Sequence, residues 1–517
     1  MHWKRAVFSI SAANLFLSPA WIIAFGSGSA FDEKFLRNAY HVKYELNHVD
    51  YISGLLLTII IGFLLYVLLS LWSSRRYYLE FGISLLAMVT LFDGFRRVSL
   101  HFLSLENILR FISMHYLVTS LLVVCAIVFV RFFFRRIKTV LEIAVVVCFP
   151  LVVVFAANIS YATYLVRPTE EAWTAIDRSL AAPNKQKPKA NRTVAILFDG
   201  WDYDLTFEKH DRSVYLANIE RFRSESVFAR NAQKFGRETL RAVPTFTTGA
   251  PVTKVEYANA YDLRLHFGNG KAPSLWSEMD TVFDLAYRNG LNVSVVAGIY
   301  HQYCFLFRRS VSDCYPAFSH VVHRTNLLKS MGKVLLKALP LAHRITKRQT
   351  ASLHPIGYVD QFLRLKAAVL DRVGNPDIGF LFVHLFLPHM LYFYDPESET
   401  YIEPNKNHEN YFDQLILLDR VFGEIRSAME RADVWDDTNV LIFSDHPGPD
   451  IKSIPTTRGF ERTNRIPLLL KLAGQRKAVN VDREVEARKI YVVLKELFEN
   501  RLRNPDDVEK LLAGPVP

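Results

Sequence analysis

Apolar residues come in long uncharged blocks over the first 160 positions, and after that in short runs between polar and helix-period segments. Ala6–Phe31 and Ile52–Trp72 hold no charged residue, and Tyr116–Val130 and Ile143–Ala157 are shorter apolar cores with aromatic or small-residue extensions. With those extensions each is long enough to cross ~30 Å of hydrocarbon. Phe81–Phe92 lies between Glu80 and Asp93 and, taken alone, reads as a buried or interfacial helix. Whether it crosses decides on which side the chain ends. If five segments cross, Lys4/Arg5, Arg75/Arg76 and the group Arg131, Arg135, Arg136, Lys138 fall at alternate ends. The other loops dilute their basic residues with Asp32, Glu33, Glu45, Asp50 and Glu106. The positive-inside rule then places the N-terminus in the cytoplasm and the C-terminal part outside. Ala6–Phe31 also has the look of a cleaved signal, but the later spans favour an uncleaved first helix.

Thr169–Leu180 predicts a short amphipathic helix able to lie on headgroups, and Ala182–Arg192, with its Pro and Lys residues, a linker. The expected division is a transmembrane domain of about five helices at 1–160, a juxtamembrane helix and linker at 161–192, and a separate domain at 193–517. In that last part Thr193–Phe198, Val293–Ala297, Ile378–Leu385 and Val440–Phe443 are apolar runs suited to central parallel strands. Between them Leu216–Ser224 and Asp413–Arg431 carry helix-period apolar residues. The pattern predicts an α/β sandwich with a mostly parallel sheet, whose ligands bind at the carboxyl ends of the strands.

Composition sharpens this only a little. The 517 residues leave room for two or three domains, and the 50% hydrophobic content averages two unlike halves. Four cysteines exclude a disulfide-rich scaffold. A formal charge of +11 on a membrane-embedded chain points to anionic lipid rather than nucleic acid.

Three segments carry candidate chemistry. Phe198-Asp199-Gly200 follows the first strand and sets a carboxylate at the sheet edge, although an Asp there also serves as a helix cap. Ser444-Asp445-His446-Pro447 follows another strand; its carboxylate and imidazole suit a divalent metal, although Ser-Asp-x-Pro is also an ordinary turn. Glu238-Thr239-Leu240-Arg241 opens a threonine-rich stretch ending at Thr248-Gly249. A threonine hydroxyl is a poor nucleophile until a metal or base activates it.

Taken in order, a strand-end acid, a threonine ten positions before the Gly of a Thr-Gly pair, and a strand-end Asp-His resemble the alkaline phosphatase/sulfatase superfamily. The resemblance covers about residues 193–475, including Arg465-Ile466-Pro467. It implies an N-terminal α-helical transmembrane domain followed by an α/β sulfatase-like (alkaline phosphatase-type) catalytic domain. It also implies that Asp199, Thr239, Asp445 and His446 share one divalent cation (zinc, manganese, magnesium or calcium), a second ion being doubtful because no further histidine follows His446. Thr239 would be the nucleophile. Phe382–Tyr392 resembles the family segment whose second histidine faces the transferred group, which makes His389 catalytic and a substrate contact, with Tyr392 as a further contact and His384 structural. Arg241, two residues from Thr239, either lies near the transferred phosphate as a further contact or points away from it. Threonine cannot become formylglycine, so sulfatase activity is disfavoured.

Five spans ahead of such a domain resemble membrane phosphoethanolamine and phosphoglycerol transferases of the bacterial cell envelope. The implied partners are a phospholipid donor, a glycan or lipid acceptor and the membrane itself, with no nucleic acid. The implied location is the inner membrane, with the catalytic domain on the periplasmic or extracellular side. A phosphodiesterase of the same fold and an inactive scaffold are the alternatives. Cys304 and Cys314 could form a disulfide on the oxidising side or remain free buried thiols.

Overall fold

A computed structural model describes residues 2–515 except 26–30, 33–36, 38–47, 73–74, 100–111, 113–115, 186–187, 189, 209–214, 237, 260, 269, 299–301, 317–325, 340–355, 390 and 450–462. The chain forms two compact units, Met1–Glu171 with Val322–Ala351, and Ala172–Val321 with Ser352–Pro517.

The first unit is helical. α1 (His2–Phe25), α2 (His48–Leu71), α3 (Arg76–Ser99), α4 (Tyr116–Val147) and α5 (Phe149–Ser179) supply it. Four stretches among the described residues are long and apolar enough to cross a membrane, the fourth being Ile127–Leu165 across the junction of α4 and α5. α4 leaves helical geometry at Phe133, amid the basic residues Arg131 to Lys138. The third stretch, Arg76–Val98, extends well beyond Phe81–Phe92 because its bounding acids are paired. Glu80 meets Arg76 Nε at 2.8 Å and Lys138 Nζ at 3.3 Å, and Asp93 meets Arg96 at 2.6 Å and Arg97 at 2.5 Å. Paired charges cost far less to bury than lone ones. Close packing uses small residues: Gly54 lies under the Trp21 ring and Gly62 under Ile10. α5 runs unbroken through Ser179, so Thr169–Ser179 is the end of that helix rather than a separate one.

The second unit is built on an eight-stranded sheet. Its strands are β1 (Arg192–Phe198), β2 (Val227–Ala229), β3 (Val293–Ala297), β4 (Asp313–Pro316), β5 (Phe380–Leu385), β6 (Thr438–Phe443), β7 (Leu468–Lys471) and β8 (Val479–Val481). They lie in the order β8-β2-β7-β6-β1-β5-β3-β4. The run β6-β1-β5-β3-β4 is parallel, and β7 is antiparallel to both β6 and β2. β1, β3, β5 and β6 are buried nearly end to end, as the continuous apolar runs require. A mostly parallel central sheet is therefore the observed architecture of this unit.

Register aligns the ends that matter. Leu197 pairs with Phe443 and with His384, and Phe198 pairs with Leu385. Asp199, Ser444–His446 and the Phe386–His389 turn thus leave one edge of the sheet together. α6 (Thr239–Thr248) packs through Phe246, whose ring lies 5.1 Å from Phe443 and 6.0 Å from Phe382.

Candidate active site

Asp199 ends the central strand and turns at Gly200, whose φ of +69° is open to glycine but strained for other residues. A Cβ there would also stand 3.2 Å from the His389 ring. The turn is held to its neighbours by hydrogen bonds. The Gly200 amide donates to Asp445 Oδ1 (3.2 Å), and the Trp201 amide donates to Ser444 Oγ (2.9 Å). Ser444 Oγ in turn donates to the His446 carbonyl (2.8 Å). Tyr411, fully buried and far along the chain, accepts from the Asp202 amide (2.9 Å) and donates to the Gly200 carbonyl (3.0 Å). These bonds lock the two strand-end loops against each other.

Inside that frame four ionisable groups converge, Asp199, Asp445, His389 and His446. His446 Nε2 lies 3.3 Å from Asp199 Oδ1 and 3.6 Å from Asp445 Oδ2. Asp199, His389 and His446 offer ligand atoms within 4.8 Å of one another, a possible metal-binding group. Both carboxylate oxygens that face His446 Nε2, Asp199 Oδ1 and Asp445 Oδ2, are buried without a hydrogen-bond partner. Such atoms are costly unless something answers their charge. His446 Nδ1 lies 2.8 Å from the Pro447 carbonyl, which can only accept, so the neutral ring is protonated at Nδ1 and Nε2 keeps its lone pair for the centre of the group. Two orphaned carboxylate oxygens and an imidazole lone pair fit a divalent cation.

The electrostatics agree. Burial alone raises the Asp199 carboxyl, but the His389, His384 and His446 imidazoles outweigh it and hold it well below the usual carboxylate range. Burial opposes charge on His446, yet the carboxylates of Asp445 and Asp199 and the Pro447 carbonyl push it to about 10. Without a cation, a proton is drawn into its place. His384, in the strand, sets Asp199: its Nε2 is 3.5 Å from Asp199 Oδ2 and its Nδ1 3.1 Å from the Tyr303 hydroxyl.

Thr239 is the first residue of α6 and 8% exposed. It shares a helical face with Phe246, seven residues on, and that face is turned to the sheet. Gly249 (φ +71°) ends the helix, its amide donating to the Thr245 carbonyl at 2.8 Å. The ten-residue spacing of the motif is therefore the length of one helix, from Thr239 to the Gly249 that terminates it. Arg241, two residues on, has a buried Nε without a hydrogen-bond partner. Tyr392 sits in the core, fully buried against Tyr411 with its hydroxyl 3.1 Å from His408 Nδ1, which leaves it no face for substrate. Tyr411 has no sequence signal, because it lies just ahead of the helix-period stretch that begins at Asp413. Cys304 and Cys314 are disulfide-bonded.

A family described as type I phosphodiesterase / nucleotide pyrophosphatase matches residues 193–512. The chain belongs to this phosphodiesterase family. The alkaline phosphatase/sulfatase superfamily expected from the motifs is thus the one found. No curated protein matches the phosphodiesterase-family chain. Among solved structures it is similar to the lipoteichoic acid synthase LtaP from Listeria monocytogenes (13% identity, 63% of this chain and 78% of that one, TM-score 0.38). It is also similar to the phosphonate monoester hydrolase of Agrobacterium radiobacter (15% identity, 60% and 73%, TM-score 0.36). A third is an alkaline phosphatase superfamily protein from Vibrio parahaemolyticus (12% identity, 64% and 75%, TM-score 0.36).

Proposed function

We propose that the protein is a metal-dependent membrane phosphotransferase that moves a phospholipid-derived headgroup, phosphoethanolamine or phosphoglycerol, to a glycan or lipid acceptor. The observation that carries this reading is the pair of buried, unanswered carboxylate oxygens of Asp199 and Asp445 facing His446 Nε2. Asp199, Asp445 and His446, with the hydroxyl of Thr239, would hold the ion. When bound, the ion supplies Lewis acidity to the phosphate and the threonine oxygen.

The chain's own groups do the rest. Glu238 caps α6 without a side-chain bond, so the first amides of the helix, beside Thr239, remain available to a phosphate oxygen. Thr239 Oγ loses its proton to water and bonds to phosphorus, and the bond from phosphorus to the diacylglycerol oxygen breaks. That oxygen takes a proton from His389. An acceptor hydroxyl then gives its proton to His389 and attacks the phosphothreonine, and Oγ leaves with its electron pair and is reprotonated by water. Arg241 offers its guanidinium to the transferred phosphate.

Location follows from charge and redox chemistry. Arg76 and Lys138 meet around Glu80 at the start of α3, the end rich in Lys and Arg, and such ends are cytoplasmic. The Cys304–Cys314 disulfide suits an oxidising compartment. Both support an inner-membrane protein with its active site on the periplasmic or extracellular side, a placement that requires Tyr116–Val130 to cross as a fifth span beyond the four found among the described residues. The family's description favours one rival, a phosphodiesterase in which water replaces the acceptor.

The test is protein reconstituted with headgroup-labelled phosphatidylethanolamine or phosphatidylglycerol. Release of diacylglycerol matched by label on an added glycan or lipid acceptor is expected. Label appearing only as free headgroup phosphate gives the hydrolase. Diacylglycerol release that persists unchanged in Thr239→Ala overturns the mechanism.

A further inference from the structure

The chain between β4 and β5 makes an excursion that the chemistry above does not use. Leu327–Ala338 (LLKSMGKVLLKA) is a twelve-residue helix that belongs to the membrane-helix unit although both flanking segments belong to the sheet unit. At ~1.5 Å per residue it is ~18 Å long, too short to cross a bilayer. Its chain therefore enters and leaves on one side.

It is docked specifically. Val334 and Ala338 are buried in one cluster with Leu17, Trp21, Tyr51 and Ile159. Lys333 Nζ lies 2.5 Å from the fully buried carboxylate of Asp50 at the start of α2. Arg97, in the last turn of α3, donates to the carbonyls of Lys337 (3.0 Å) and Leu339 (2.7 Å), capping the C-terminal end of the helix where a cation is most favourable.

The side turned away from the bundle is also apolar. Leu328, Leu335, Leu336 and Leu339 follow an i, i+7, i+8, i+11 stripe and are exposed, Leu328 to 77%. Along one edge of that stripe Lys329, Lys333 and Lys337 recur every four residues. The pattern continues the lipid-type surface of α2, where Ile59 is 60% and Phe63 64% exposed. An apolar face edged by lysines is the arrangement in which acyl chains take the leucines while the ammonium groups reach phosphates.

We propose that Leu327–Ala338 is a membrane-surface helix, seated at the headgroup level, with its leucine stripe in the acyl boundary and Lys329, at the edge of that stripe, on the phosphates of anionic phospholipid. The assignment stands independently of the reaction proposed above.

Full-length protein with Cys125 and Cys148 changed to Ser, and Leu328→Cys or Leu336→Cys carrying an environment-sensitive fluorophore, tests it in nanodiscs of phosphatidylcholine and phosphatidylglycerol. Nitroxide placed near the headgroup end of the acyl chain is expected to quench both labels at least twofold more than nitroxide near the chain terminus, and aqueous iodide to quench neither. Lys329→Gln in the Leu328→Cys background should weaken the shallow quenching when phosphatidylglycerol is present and leave it unchanged in phosphatidylcholine alone. Quenching by iodide puts the face in water and overturns the proposal. Protection from both iodide and nitroxide lipid means that protein, such as a second copy, covers the face, and overturns it too.

Discussion

The proton on His446 makes metal binding a competition whose size follows from the site. In the metal-free protein its pKa is pushed to about 10, against burial, chiefly by Asp445 and then Asp199. At pH 7 a cation must expel that proton, at a cost of about 4 kcal/mol, since each pH unit is worth ~1.4 kcal/mol. Asp199, held well below the usual carboxylate range, is already ionised and releases nothing. Lower pH favours the proton, so the apparent affinity for zinc or manganese weakens as pH falls. It should strengthen about tenfold per pH unit, roughly a thousandfold from pH 6 to 9, with close to one proton released per ion. Titration calorimetry on chelated protein, repeated in two buffers of different ionisation enthalpy, reads both quantities. Asp445→Asn removes the largest single upward influence on His446 while Asp199 and the Pro447 carbonyl remain, so the pH at which proton release fades should move down while affinity also falls. A flat affinity from pH 6 to 9 with no proton released would refute the view that the ion replaces this proton between Asp199 and Asp445.

Other consequences are equally open to measurement. Tyr411→Phe leaves the Asp202 amide and the Gly200 carbonyl buried without their partner; at ~1–3 kcal/mol for each unanswered group, the thermal unfolding midpoint should fall by several degrees. Gly200→Ala forces a side chain to φ +69° and against His389; a strain of ~1–3 kcal/mol and a displaced imidazole should cut turnover more than tenfold with unchanged circular dichroism. Cys304→Ser with Cys314→Ser should cost about 3 kcal/mol of stability for a loop of this length. In the unreduced, denatured native protein only Cys125 and Cys148 should react with a thiol reagent.

Much of the sheet unit was legible because its signals are local. Thr193–Phe198 and Val440–Phe443 are uninterrupted apolar runs, and each hands its chemistry to the next residue, Asp199 or Ser444-Asp445-His446. The spacing from Thr239 to Gly249 could be read because it is a helix length written in the chain. What failed depended on partners distant in sequence. Phe81–Phe92 taken alone looks like a buried or interfacial helix because Glu80 and Asp93 bound it, and only the alternation of basic ends argues that it crosses. The helix there, Arg76–Val98, is long and apolar enough to do so, its acids neutralised partly from another helix. Tyr392 looked like a substrate contact because it follows His389 closely, yet the strand it begins turns it into the core. Tyr411 clamps the Asp199 turn from about two hundred residues away, and nothing in its own neighbourhood marks it. The helix Leu327–Ala338 carries an amphipathic pattern that a surface helix would share; only its docking on α1 and α2 through Val334 and Lys333 distinguishes it.

The nucleophile is the part of the account that matters most, and mass spectrometry addresses it directly. Protein incubated with phospholipid donor and no acceptor, then quenched in acid and digested, should yield the peptide containing Thr239 heavier by one phosphorylated headgroup, with the mass naming the donor. An unmodified Thr239 peptide alongside continued diacylglycerol release, or the added mass on another residue, would contradict it.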